Sequence, residues 1–338
     1  MTSPDGGGAS FLPELSAPLH SVSFVVVDVE TTGGSPLTAS LTEVAAARYR
    51  GGELIGTFRT FVRPDARIPP FITAMTGISD AMVASAPRPR QILPSLLEFI
   101  GGAVLVGHNI RFDLSFLDHA LGSSGRESLR NPAVDTLALA RRLVRGDDDL
   151  PNCQLGTLSA CLRLEHRPSH RALADVLATG DLLHALLERA GTFGILDLGE
   201  LLALPALLGH PQARKLRATV RLPRQAGLYW FSDARDRMLY VDRAEDLRSA
   251  ARSHFLAHGD RRTNRLLRQM HSVGHVCVPD PQSAAALERV LLDRWNPPFN
   301  QAGAARPRRR DRSVTPALPP LGSGGSNSRE RPPPRRRR

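Results

Sequence analysis

The stretch Ser23-Phe-Val-Val-Val-Asp-Val-Glu30 decides how the rest of this 338-residue chain is read. Phe24 and four valines make an apolar run of strand-forming residues, far too short to span a bilayer, so a buried β-strand is expected. Alternation along a strand puts Asp28 and Glu30 on one face, at its C-terminal end. Two carboxylates leaving a buried strand are costly unless something cationic neutralises them. An Asp-x-Glu pair is also a short and common pattern, so other segments must decide between a solvated strand exit and a metal site.

Working outward, residues 43–49 and 54–62 read as two further strands, joined by the hairpin turn Arg50-Gly51-Gly52. Pro69-Pro70 closes that unit. Leu96, Leu97 and Ile100 have helical spacing, 103–106 is a short buried strand, and a helix is expected over 113–121. Helices follow over 135–144, 155–164 and 170–189; the last carries Leu173, Val176, Leu177, Leu183 and Leu187 near one face. Alternating strands and helices imply an α/β layered domain over 21–189. Residues 190–221, interrupted by Pro205 and Pro211, read as a connector. A smaller α/β domain is expected over 222–300, with strands at 227–231 and 238–241 and helices at 244–255, 261–270 and 282–295. Residues 1–20 and 301–338 are rich in Gly, Pro, Ser or Arg and are expected to be disordered.

The formal net charge is +11. Eleven arginines against Asp311 and Glu330 give the tail 301–338 a charge of 11 − 2 = +9, which leaves +2 for residues 1–300. The basic character therefore belongs mainly to the tail, which suits non-specific phosphate contact. Lys215 is the one lysine, so 43 of the 44 basic residues are arginine, a bias that points first to GC-rich coding. Cys153, Cys161 and Cys277 are too few and too scattered for a disulfide framework or a zinc site. With a Gly-rich start lacking a basic segment, and no long apolar run, the chain reads as soluble and cytoplasmic, associated with the nucleoid and not with a membrane.

Two later segments tilt the decision on the carboxylates. Gly107-His-Asn-Ile-Arg-Phe-Asp-Leu-Ser-Phe-Leu117 follows a buried strand and puts Asp113 in the first turn of a helix, beside Asn109 and Phe112, a polar group and an aromatic face suited to a nucleotide. His170-Arg-Ala-Leu-Ala-Asp175 heads the long amphipathic helix. In this order the segments resemble the DxE, HNxxFD and HRAxxD motifs of the DEDDh exonuclease superfamily. Glu30-Thr-Thr-Gly33, Met75-Thr-Gly-Ile-Ser79 and Asp135-Thr-Leu-Ala-Leu-Ala-Arg141 agree with it. The nearest likeness is to the epsilon proofreading subunit of the bacterial replicative polymerase, across roughly 22–189.

The resemblance implies an RNase H-like mixed sheet whose first three strands are antiparallel, and hydrolysis of DNA phosphodiesters from the 3′ end in repair or proofreading. It implies Asp28, Glu30, Asp113 and Asp175 as ligands of two Mg²⁺ or Mn²⁺ ions, with His170 as general base. Hard carboxylate oxygens suit these ions, two ions can activate the nucleophile and stabilise the leaving oxygen, and imidazole is the side chain that ordinarily exchanges protons near neutral pH. Thr31, Asn109 and Phe112 are implied as contacts to the terminal nucleotide. Partners would be DNA 3′ ends and a polymerase or repair protein. An RNase or oligoribonuclease of the same superfamily, or a nucleic-acid-binding scaffold of reduced activity, are the rival readings.

In the second domain, Gly227-Leu-Tyr229, Tyr240-Val-Asp242, Ala286-Leu-Glu-Arg-Val-Leu-Leu292 and Pro297-Pro-Phe-Asn300 resemble the GIY-YIG nuclease domain of UvrC-type repair proteins, a three-stranded sheet flanked by helices. The resemblance assigns a site to Tyr229, Tyr240 and Glu288. The chain departs from the pattern at Asp242 in place of glycine, Arg243 in place of lysine and Ala250 in place of a catalytic arginine. Arg248 and Arg252 are the nearest substitutes. The reading is a degenerate domain that binds nucleic acid or a protein partner.

Overall fold

The structure, a computed structural model, describes residues 12–144, 150–257 and 259–300; the expectations for 1–11 and for the basic tail 301–338 lie outside them. The chain divides into two compact units after Ala213.

In the first unit a five-stranded sheet runs in the order β3-β2-β1-β4-β5. Its strands are β1 (Ser23–Thr31), β2 (Leu41–Arg50), β3 (Glu53–Phe61), β4 (Val104–Gly107) and β5 (Ala133–Asp135). β1, β2 and β3 are antiparallel in succession, whereas β4 lies parallel to β1 and β5 parallel to β4. This is the mixed sheet that the resemblance implies. The three-residue β5 was not read, since so short a strand carries no periodicity.

The helices of this unit are α1 (Pro70–Thr76), α2 (Asp80–Val83), α3 (Pro89–Ile100), α4 (Ile110–Ser123), α5 (Thr136–Leu143), α6 (Leu155–Cys161), α7 (Ala172–Gly191) and α8 (Leu198–Leu207). β1 is covered on both faces. Val25, Val27 and Val29 pack into one core with Leu93 and Leu96 of α3 and Phe116 and Leu117 of α4. Phe24 and Val26 pack into another with Val176, Leu182, Leu183 and Leu186 of α7. Full burial of side chains of this size is worth about 1.5–3 kcal/mol each, which makes α7 a principal clamp on the sheet. Gly180 permits the approach, because a Cβ there would stand 2.3 Å from the Tyr49 hydroxyl oxygen.

Three differences from the sequence reading bear on how the units are built. The helix expected from His170 begins at Ala172, after His170 has turned into the left-handed region at φ 56°. The segment 190–221 is divided between the units: Leu198, Leu201 and Leu204 of α8 join the core built on α7, while the 3-10 turn Ala213–Thr219 belongs from Arg214 onward to the second unit. Its leucines recur at helical spacing, so they bury a face that a free connector would expose. Residues 12–20, expected disordered, are instead tied to the start of α8. Leu19 N–H donates to the Leu196 carbonyl at 3.0 Å, and Leu15 O accepts from Gly199 N–H at 2.7 Å.

The second unit holds a three-stranded antiparallel sheet in the order β7-β6-β8. Its strands are β6 (Gly227–Ser232), β7 (Met238–Ala244) and β8 (Ser272–Cys277), with α9 (Leu247–Ser253), α10 (Arg261–Gln269) and α11 (Pro281–Trp295) around them. Leu228, Trp230, Met238, Val241 and Ala284 form its core with Leu287 and Leu291 of α11. β8 escaped the residue-level reading because only its Gly274 is buried, so no alternation of apolar residues marks it. Among the described residues no helix is long and apolar enough to cross a membrane.

Candidate active site

Asp28 and Glu30 lie on the face of β1 that meets α7, and Asp175 sits in the first turn of that helix. Carboxylate oxygens of Asp28, Glu30 and Asp175 come within 4.8 Å of one another. Asp113 approaches from α4, on the opposite layer, and its Oδ1 accepts the Val29 N–H at 3.0 Å. The fourth carboxylate is therefore fixed to the backbone between the two strand acids. A register shift between Glu30 and Thr31 bends β1 just past the pair.

Such a cluster resists ionisation. Burial, then the charges of Asp113, Asp175 and Glu30, push Asp28 well above the usual carboxylate range. Burial and Asp175 bring Glu30 to about 7, although the Arg171 charge opposes them. Burial raises Asp113 to about 8 against the Val29 hydrogen bond, and burial also raises Asp175. These side chains are mutually repelling oxygen donors in a low-dielectric setting, the donor chemistry that a divalent cation satisfies. The residues present fit a hard metal ion.

His170 is exposed and lies one residue beyond a loop anchored to the cluster, since Ser169 N–H donates to Asp175 Oδ1 at 2.8 Å. Asn109, at the start of α4, also has positive φ, 74°, and its N–H donates to Asp135 Oδ1 at 3.0 Å. Left-handed backbone at non-glycine residues carries a local cost, and such residues gather where side chains must be aimed. Phe112 is half-buried with its ring centroid 5.1 Å from that of Phe116. Thr31 is buried, and its hydroxyl donates to the Gly33 carbonyl at 2.7 Å, which shapes the loop after β1.

Sequence reasoning missed Glu43. It is fully buried on β2, directly across from Glu30 in the strand register. Its carboxylate accepts from Arg59 Nε at 2.7 Å, Arg171 Nε at 3.2 Å and the Ala172 N–H at 3.3 Å. The available signal was an acid opening the apolar run Val44-Ala-Ala-Ala47, where an unpaired charge is not tolerated.

The second unit brings its residues together differently. Tyr229 is buried, with its hydroxyl 2.9 Å from His254 Nε2 and its ring centroid 6.2 Å from that of Tyr240. The Tyr240 hydroxyl donates to Asp242 Oδ2 at 2.8 Å, and Glu288 pairs with Arg243 at 3.3 Å. Burial pushes both tyrosines above the usual phenol range, with Asp242 adding to the shift. Arg248 and Arg252 lie on α9 on either side of Ala250. Both are buried; Arg248 donates to the Val220 carbonyl and Arg252 Nε to Thr219 Oγ1, each at 3.0 Å.

Residues 25–183 match the family model for exonucleases, and residues 225–301 that for the UvrC-like GIY-YIG domain. A Mycobacterium tuberculosis protein whose name describes a bifunctional exonuclease/endonuclease is 36% identical over 305 residues, 87% of this chain and 46% of that protein. A PolC-type DNA polymerase III of Caldanaerobacter subterraneus is 39% identical over 178 residues, 53% of this chain and 12% of the polymerase. The chain thus spans less than half the length of either relative. Exonuclease X in complex with 5′ overhanging duplex DNA aligns over 50% of this chain and 93% of its own, at 25% identity and a TM-score of 0.40. The chain therefore carries an exonuclease-family domain over 25–183, similar to part of PolC-type DNA polymerase III, followed by a UvrC-like GIY-YIG domain over 225–301.

Proposed function

We propose that the first unit is a metal-dependent 3′–5′ exonuclease acting on DNA in repair or proofreading. The observation that carries this reading is the convergence of Asp28, Glu30 and Asp175 within 4.8 Å, with Asp113 hydrogen-bonded to the intervening Val29. Asp28, Glu30, Asp113 and Asp175 would hold two Mg²⁺ or Mn²⁺ ions, which supply Lewis-acid polarisation of the phosphoryl oxygens and charge neutralisation at the leaving oxygen. His170 accepts a proton at an imidazole nitrogen from the attacking water. The new O–P bond forms as the bond to the 3′ oxygen breaks, releasing a nucleoside 5′-monophosphate. Thr31, Asn109 and Phe112 border the pocket of the terminal nucleotide, Phe112 offering a ring face for the base.

For the second unit the reading is binding without cleavage. Its own side chains already pair Glu288 and Asp242, and the two nearby arginines are buried in the fold. Arg261, Arg262, Arg265 and Arg268 of α10 are exposed and offer charge to a phosphate backbone.

The deciding experiment compares end-labelled single-stranded DNA, mispaired duplex and RNA of two to five nucleotides, each with Mg²⁺ and with Mn²⁺. Early loss of a 3′ label from DNA as mononucleotide is expected. Dominant turnover of the short RNA would move the assignment to an oligoribonuclease, and loss of a 5′ label first would refute the polarity.

A further inference from the structure

We propose that Arg59 and Arg171, held together by the buried Glu43 against the ring of Phe61, form a phosphate-binding subsite for the nucleic-acid strand that enters the carboxylate cluster. The inference rests on the nuclease reading for the identity of the strand, and on side-chain geometry for the site itself.

Glu43 has no exposed surface, so its charge must be matched inside the fold. A single arginine would match it, yet two converge. Arg59 comes from β3 through Nε at 2.7 Å, and Arg171 from the head of α7 through Nε at 3.2 Å and Nη2 at 3.4 Å. One carboxylate and two guanidinium groups leave a net charge of +1. Both guanidinium carbons lie over the Phe61 ring, 5.6 Å and 5.5 Å from its centroid, an arrangement that restrains their planes. The two side chains are still 41% and 30% exposed.

A guanidinium carries five N–H donors, and Glu43 occupies one from Arg59 and two from Arg171. The others make no hydrogen bond among the described residues, although the Arg171 charge is felt at Glu30. This surplus positive edge adjoins the cluster by two routes: Glu43 is the cross-strand partner of Glu30, and Arg171 follows His170 directly in the chain. A fixed pair of arginine forks with unused donors is suited to phosphate oxygens. The pair would give the strand's phosphates a cationic contact that does not depend on bound metal.

The test is a phosphate-by-phosphate scan. A fluorescent single strand is prepared with one uncharged methylphosphonate at each linkage in turn near the 3′ end, and its binding to the full chain is measured in EDTA, where hydrolysis is off. For the parent, one or two adjacent positions should weaken binding about 10-fold, the scale of a lost charge-assisted hydrogen bond. Arg59→Gln leaves Glu43 paired with Arg171; it should weaken the unmodified strand by a similar factor and show no further loss at those positions, while other positions keep their penalties. Arg171→Gln is the parallel variant, read by binding alone, and serves if Arg59→Gln does not fold. Additive penalties at every linkage, or variants that bind like the parent, would overturn the subsite. Because the readout needs no metal, a chain that binds with the expected pattern yet releases no 3′ nucleotide with Mg²⁺ or Mn²⁺ overturns the exonuclease reading and leaves the subsite standing.

Discussion

The two units each gather acidic and polar side chains around a strand end, and they treat the charge in opposite ways. In the first, Asp28, Glu30 and Asp175 face one another, and burial together with the Asp175 charge raises Glu30 to about 7. In the second, Glu288 has Arg243 at 3.3 Å and Asp242 has the Tyr240 hydroxyl at 2.8 Å. A fold keeps an unsatisfied cluster of buried acids only at a cost in stability, which a bound cation relieves. A cluster satisfied from within has no such need. The contrast is between buried acids that repel one another and acids that the fold itself pairs, and it holds without appeal to motif spelling.

Breaking the first centre should produce the largest effect. Asp28→Ala removes the acid that meets all the others and should reduce metal-dependent hydrolysis of 3′-ended DNA to background, on the order of 10³-fold or more. Circular dichroism and a melting curve would show the fold retained, since losing a repelled charge relieves strain. Equal degradation by variant and parent would sink the assignment. His170→Ala comes next, with a loss of about 10²–10⁴ in kcat and little change in metal affinity, the scale of a removed general base. The exposed ring leaves the fold indifferent to the change, so a pH–rate profile identical to the parent's would remove His170 from the mechanism.

Much of this contrast was legible in the sequence. The valine run fixed β1 and its alternation put Asp28 and Glu30 on one face, while the meeting of Asp113 and Asp175 with that pair was implied only by the motif resemblance. What escaped was tertiary. Glu43 looked like an ordinary strand residue, because nothing local says that an acid on β2 will meet an arginine 128 residues away. The left-handed turn at His170 was lost inside a helix pattern, since hydrophobic periodicity reports the buried face and is blind to where the first turn begins. Pro205 makes α8 look like linker in the sequence, yet it falls near the helix end and the helix runs past it. In the second unit Ala250 was plain in the sequence, but the burial of Arg248 and Arg252 was not.

The raised acids sharpen the comparison through pH. Glu30 and Asp113 hold protons in the folded chain that the unfolded chain would release, so their contribution is full below the unfolded values near 4. It is lost as pH rises through about 7 and then about 8. The metal-free first unit should therefore melt lower at pH 8.5 than at pH 5.5, by a stability difference on the order of 3 kcal/mol, set by roughly 1.4 kcal/mol per shifted unit and reduced by proton sharing within the cluster. Divalent metal should reverse the trend, because it binds the ionised acids and stabilises most where protons no longer compete. A metal-free melting temperature that rises between pH 5.5 and 8.5 would contradict the picture of uncompensated charge.

The smallest effect is expected in the second centre, and its smallness is the point. Arg243 is 53% exposed and Glu288 19%, so their pair sits where water and salt screen it, and such pairs are worth about 0–1 kcal/mol. Glu288→Ala should leave the melting curve within that range and leave 3′-end degradation unchanged. It should also remove no cleavage of nicked, bubble or circular DNA when introduced alongside Asp28→Ala and Asp113→Ala, which silence the first centre. Endonucleolytic cuts that persist in the double variant and vanish with Glu288→Ala would make the Arg243 contact a resting state that opens on substrate, and the two centres would then differ in occupancy and not in kind.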